Sequence, residues 1–195
     1  LYIDIFFIDK LIFLLTISKY IKFLTVQNLN SRKKDVILQA LKQVRARYHF
    51  REFTIQELFA DREFLKIKYE LLLMGIALNA SSADEHQAEA EREIKFVKQR
   101  VRTLKHSLPF KFYPKAMKLA MITQAVMWIN ALPRAGGVST TMSPRTIMLG
   151  TTIDYNKHCK LPFGSYVQVY DYPKPTNTQN GRKIGAIALH PESNF

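Results

Sequence analysis

Cysteine is nearly absent: Cys159 stands alone in 195 residues. A single thiol excludes an intrachain disulfide framework and any cysteine-rich zinc site. Long uninterrupted apolar runs are missing as well. The segment Leu1 to Val26 is rich in Ile, Leu and Phe, but Asp4, Asp9, Lys10, Lys19 and Lys22 break it up. Its longest uncharged stretch, Leu11 to Ser18, falls far short of the ~18 apolar residues a membrane span requires. The acid at position 4 also argues against a signal peptide, which opens on a basic region. No membrane partner is therefore expected. Internal repeats and low-complexity tracts are lacking too. Acidic residues are scarce, 16 against 29 Lys and Arg, and the formal net charge is +13. Such an imbalance points to a polyanionic partner, either nucleic acid or an anionic membrane surface.

What is present is a globular composition. Hydrophobic residues make up 47% and aromatics 12%, which is enough to build a core and excludes wholesale disorder. The length suits one principal domain with an appendage. The chain opens on Leu1 inside an apolar run, so it reads as a piece of something longer.

Periodicity divides the chain. Tyr2–Ile8, Leu11–Ile17 and Tyr20–Val26 read as a meander of three strands, the first pair joined by a turn at Asp9-Lys10. Gln27 to Ser31 is a polar link with Ser31 as a candidate helix cap. Lys33 to Tyr48 reads as a helix on the stripe Ile37, Leu41, Val44 and Tyr48. Thr54–Ala60 is a strand ending at Asp61. Glu63–Met74 is helical, with Gly75 as its stop, and Ile76–Ala80 is a fifth strand. Ser81–His86 reads as a polar loop. Glu89–His106 is a long helix whose apolar stripe is Ile94, Val97, Val101, Leu104 and Leu108. Lys115–Leu132 is a further helix. Arg134–Thr141 is a loop, and Ser143-Pro144 opens a short helix to Leu149. From Thr151 the composition turns to Pro, Asn, Gly and Tyr, with one alternating strand at Ser165–Tyr170. The expected organisation is a core over residues 1–132, a loop and short helix over 133–150, and a β or irregular extension over 151–195. Three antiparallel strands followed by alternating helices and strands is the order of ribonuclease H-like α/β folds, a mixed five-stranded sheet flanked by helices.

The acids carry the chemistry. Asp4 sits mid-strand among apolar residues, where a lone carboxylate is costly unless paired or metal-bound. Asp61 ends the fourth strand, and the carboxyl ends of strands are where α/β sheets build sites. Glu91 lies in the first turns of the long helix. With the first and fourth strands adjacent, Asp4 and Asp61 face each other and Glu91 packs across them. Three converging carboxylates need cations, and Mg²⁺ (or Mn²⁺) suits an all-oxygen site. Two such ions can activate an attacking oxygen and stabilise the leaving oxygen of a phosphodiester. Lys95, Lys98 and Arg102 follow Glu91 along one helix face, with Lys105 the next cation. From Lys95 to Lys118 there are eight Lys or Arg and no acid. This ridge is the expected DNA-binding surface. Asp9, in a turn, competes weakly with Asp4 for the catalytic role. His158 and Cys159, an adjacent pair without partners, read as structural.

At these residues the chain resembles a family. Glu85–Arg102 (EHQAEAEREIKFVKQRVR) is similar to the A-E-R-x-N-R-T-L segment of copia-type retrotransposon integrases, and nearest to a variant group in diatom and algal elements. Phe59–Phe64 (FADREF) resembles the segment around that family's second acid, and Leu1–Phe7 (LYIDIFF) its opening strand. Leu161–Val169 (LPFGSYVQV) and Gly185–Leu189 (GAIAL) are similar to the segment beyond the core. The resemblance spans essentially the whole chain. It implies a D-D-E strand transferase with Asp4, Asp61 and Glu91 as catalytic metal ligands, processing element ends and joining 3′ ends to target DNA. It further implies a homo-oligomer on DNA, carried in a cytoplasmic particle before it acts in the nucleus. Two features depart from the pattern. Arg62 replaces the small or amide residue that usually follows the second acid, and Asp61 and Glu91 are closer in sequence than in retroviral relatives. The alternatives are a catalytically inactive DNA-binding remnant of a retroelement polyprotein, or a ribonuclease H-type hydrolase recruiting Asp84 or Glu63 as a fourth acid.

Overall fold

A computed structural model describes residues 1–80, 88–170 and 181–191. The expected loop at Ser81–His86 lies outside them. Strands β1 (Tyr2–Ile8), β2 (Leu11–Ile17) and β3 (Leu24–Leu29) form the antiparallel meander. Asp9 and Lys10 both have positive φ, 47° and 68°, the pair required by a two-residue turn whose twist matches a hairpin. Helix α1 (Lys34–His49) leads to β4 (Glu57–Ala60). A 3₁₀ segment, Arg62–Ile67, runs into α2 (Lys68–Leu73), and β5 (Ala77–Ala80) follows. β4 lies parallel to β1 and β5 parallel to β4, giving the sheet order β3-β2-β1-β4-β5. Then come α3 (Ala88–Ser107), α4 (Lys115–Ala131), α5 (Pro144–Leu149) and the one-turn α6 (Tyr155–His158). A separate antiparallel pair, β6 (Tyr166–Tyr170) with β7 (Lys183–Ile187), completes the described chain.

The sheet is covered on both faces. On one, Ile3, Leu14 and Leu58 pack with Ile37, Leu41 and Val44 of α1 and with Phe64, Ile67 and Leu71. On the other, Phe6, Phe13, Leu15 and Ile17 pack against α3 through Ile94, Val97 and Val101 and against α4 through Met121, Ala125 and Ile129. Each such side chain taken fully from water contributes roughly 1.5–3 kcal/mol. Buried Asn130 of α4 ties this layer to the sheet edge, accepting from the Leu24 N–H at 2.9 Å and donating to the Leu24 carbonyl at 2.7 Å.

Several boundaries differ from expectation. β3 starts at Leu24, not Tyr20, because the chain turns at Lys22 (φ 60°). There the Ser18 N–H donates to the Phe23 carbonyl and the Phe23 N–H to Ser18 Oγ. As the edge strand, β3 also runs on through Gln27 and Asn28, whose polarity suggests a link. The cap of α1 is Lys33, not Ser31. β4 begins only at Glu57, opposite the first residue of β5. The helix expected from Glu63 is 3₁₀ before it becomes α at Lys68. It does end as predicted. Gly75 takes φ 74°, its N–H donates to the Leu72 carbonyl, and the Ile76 N–H donates to that of Leu71. This paired closure needs a left-handed residue, and glycine adopts it without strain.

Candidate active site

The site begins with a strand register. Tyr2 of β1 pairs with Phe59 of β4, and their rings lie 5.0 Å apart between centroids. Two residues further along both strands the same register sets Asp4 across from Asp61, the residue immediately after β4. Side chains two apart share a face, so both carboxylates belong to the α3 side of the sheet. Neighbouring strands are ~4.8 Å apart. Asp61 stands at the cap of the 3₁₀ segment with extended backbone, yet its side chain makes no capping hydrogen bond. The usual employment of an aspartate at a strand end is therefore not taken up.

α3 presents three acids in its first turns, and the packing separates their roles. Glu89 pairs with Lys22 and, at 2.7 Å, with Arg92. Glu93 is buried and bonded to Arg134 at 2.8 Å. Glu91 lines a groove together with Asp4. The same groove is walled by Lys95, Lys98 and Arg102. It continues into a second stretch lined by Lys98, Arg102, Lys105, Tyr113 and Lys118. Lys98 Nζ lies 5.9 Å from the Phe6 ring and Lys105 Nζ 5.9 Å from that of Tyr113, so both cations are laid along aromatic surface. The structure thus brings Asp4 and Glu91 into one groove with all four predicted DNA-binding residues along it. Asp61 does not line the groove, though its charge reaches Asp4.

Sequence reading missed Phe7, Tyr113 and Lys118, which also line this groove. Phe7 is one more apolar residue of an apolar strand, and the other two come from the far end of the next helix, so no local pattern marks them. The competitor Asp9 lines the second stretch of the groove and is paired there with Lys118, whose Nζ at 3.0 Å holds its carboxyl below the usual range. Of the proposed fourth acids, Glu63 is paired with Arg32, and Asp84 lies outside the described residues. His158 Nδ1 is 2.7 Å from the Asp154 carbonyl oxygen, and Cys159 is exposed.

Electrostatics couple the three acids. Burial pushes the Asp4 carboxyl up to about 6, against the Ile5 N–H that Asp4 Oδ1 accepts at 2.6 Å. The charges of Asp61 and Glu91 push it further up, and Lys98 draws it back. This is a site short of positive charge at its acidic end. Its donors are all carboxylate oxygens, the chemistry a hard divalent cation takes. As the side chains stand, no three His, Cys, Asp or Glu among the described residues are gathered closely enough to hold a metal ion. The donor chemistry, carboxylate oxygens alone, fits such an ion.

No protein-family model matches the sequence, and no curated protein sequence matches it. Among solved structures the chain is similar to the catalytic core domain of BIV integrase. The TM-score is 0.55 at 16% identity, over 76% of this chain and 92% of that one. At that identity the likeness shows the fold. The chain has the mixed five-stranded, helix-flanked α/β architecture of an integrase core, the ribonuclease H-like fold.

Proposed function

We propose that this chain is the catalytic core of a copia-type retrotransposon integrase, a polynucleotidyl transferase that processes element ends and joins their 3′ ends to target DNA. The observation that carries the proposal is a groove shared by Asp4, Glu91 and a row of cations, with the charge of Asp61 reaching Asp4. The ribonuclease H-like fold and the resemblance of the Glu91 segment to copia-type integrases support it. Asp4, Asp61 and Glu91 would hold Mg²⁺ or Mn²⁺, which supplies activation of the attacking oxygen and charge for the leaving one. Lys95, Lys98, Arg102 and Lys105 grip the phosphodiester backbone, and their row along α3 fixes its direction. Phe6 and Tyr113 restrict Lys98 and Lys105, so less side-chain freedom is lost when phosphate binds. Homo-oligomerisation on DNA, passage through a cytoplasmic particle and action in the nucleus belong to the same proposal.

The test is strand transfer with element-end oligonucleotides in Mg²⁺ or Mn²⁺. Activity should appear in the wild type and vanish in Asp61→Asn and Glu91→Gln. Transfer that survives both substitutions would refute the assignment. A second reading, a DNA-binding remnant without catalysis, is favoured by one observation: the acids are not drawn into a three-ligand group. It expects salt-sensitive DNA binding with no metal-dependent joining.

A further inference from the structure

The turn of α3 that carries Glu91 has little apolar hold on the sheet. Ala90 is its one buried apolar side chain, a single methyl, and the next, Ile94, lies a full turn on. Two acids do the holding instead. Glu89 and Glu93 are four residues apart and share a helix face, while Glu91, midway between them, is turned about 200° from each. The two acids thus face away from the groove that Glu91 lines with Asp4. Each reaches a different part of the chain. Glu89 pairs with Lys22, in the turn between β2 and β3, and Glu93 pairs at 2.8 Å with Arg134, just past α4. Arg92 also contacts both acids, at 2.7 and 3.9 Å, but it belongs to α3, so these contacts link the turn to nothing outside it.

The two outer anchors are themselves joined. The backbone of Gly136 and Gly137 passes over the Lys22 stem, where a Cβ would stand 3.9 Å from Lys22 Cε and 3.7 Å from Lys22 Cγ respectively. The Val138 N–H donates to the Tyr20 carbonyl at 2.9 Å. Glu89 and Glu93 are therefore fastened to one frame. Two fixed points on one side of a helix set both its depth and its rotation, and a side chain projecting from the other side inherits both. We propose that Lys22 and Arg134 are positioning residues for the acidic site: through Glu89 and Glu93 they set where Glu91 stands relative to Asp4. This rests on the reading of Asp4, Asp61 and Glu91 as ligands of a divalent cation. It goes further, making the metal affinity of the site depend on two cations that do not line it.

The experiment measures Mn²⁺ binding without DNA, from the electron paramagnetic resonance signal of the free ion. Wild type is expected to bind, and Glu91→Gln to bind far more weakly. Lys22→Met and Arg134→Met, each checked as folded by circular dichroism, should lose roughly tenfold or more in affinity, as when groups that orient metal ligands are removed. Field alone predicts the opposite sign, since deleting a positive charge near a cation site strengthens binding, so a loss reports on geometry. Lys22→Arg and Arg134→Lys keep the charge and should recover most of the affinity. Val101→Ala weakens the packing of the same helix farther along and should leave Mn²⁺ affinity unchanged. If Arg134→Met fails to fold, Lys22→Met decides, because the Lys22–Glu89 pair is partly exposed. Unchanged affinity in a folded methionine variant overturns that residue's role, and an equal loss in Val101→Ala overturns both, while the acids stand as ligands. Absence of Mn²⁺ binding by wild type, or undiminished binding by Glu91→Gln, overturns the reading of the acids and the positioning role with it.

Discussion

Asp4 of β1 and Asp61, the residue that follows β4, each lie two residues past the Tyr2–Phe59 pair, and the charge of Asp61 reaches Asp4. Burial, with the charges of Asp61 and Glu91 added to it, holds the Asp4 carboxyl at about 6. The raised value fixes the sign of a stability effect. Between about pH 4 and pH 6 the folded chain keeps a proton that the unfolded chain has lost, so stability falls as pH rises through that window. Above it the penalty is constant. Asp4→Asn should therefore be more stable than wild type at pH 7, by about 1–2 kcal/mol after allowance for solvent screening, and indistinguishable near pH 3.5. Denaturant unfolding at the two pH values in metal-free buffer measures this.

A divalent cation should remove the same penalty. Addition of Mg²⁺ is expected to raise the melting temperature of the wild type, by an amount equivalent to about 2.7 kcal/mol when the ion is at a hundred times its dissociation constant. Asp61→Asn should show little shift. An equal rise in Asp61→Asn would place Mg²⁺ elsewhere on the chain.

Along α3, removal of cations should act on DNA binding through counterion release. Lys95→Ala with Lys98→Ala is expected to lower the slope of log K against log salt by about 0.9 for each phosphate no longer neutralised. The weakening should be similar across DNA sequences. Titrations at several salt concentrations read both quantities, and an unchanged slope would take these lysines off the DNA.

The buried Glu93 anchors the start of α3 to Arg134. Arg134→Met should destabilise the fold by about 3 kcal/mol, because among the described residues it leaves the buried carboxylate with Arg92 alone, at 3.9 Å. Combining it with Glu93→Met should recover part of that stability. A double-mutant cycle by chemical denaturation provides the comparison.

Much of this is legible in the sequence, and the exceptions are instructive. β2 reads as a strand because its run is apolar on both faces, and both faces are covered. The stripe of α3 reads correctly because Ile94, Val97 and Val101 all meet the sheet. Asp4 announces itself by its apolar neighbours. What stays hidden depends on residues distant in sequence. Nothing near Lys22 signals the positive φ that delays β3, and the roles of Glu89 and Glu93 are invisible until Lys22 and Arg134 come beside them. Resemblance distinguishes Glu91 from these neighbours; in the structure Glu89 pairs with Lys22, Glu93 pairs with Arg134, and Glu91 lines the groove with Asp4.

Helix α3 is also a gauge. From Glu91 to Lys105 it advances fourteen residues, about 21 Å at 1.5 Å per residue, close to six base pairs of duplex. On the proposed function, a rigid rod of that length, with Glu91 near one end and cations along the rest, would fix how far from the reacting phosphate the backbone is held. Register on the DNA would then be measured out by protein geometry, with no part for base identity in setting it.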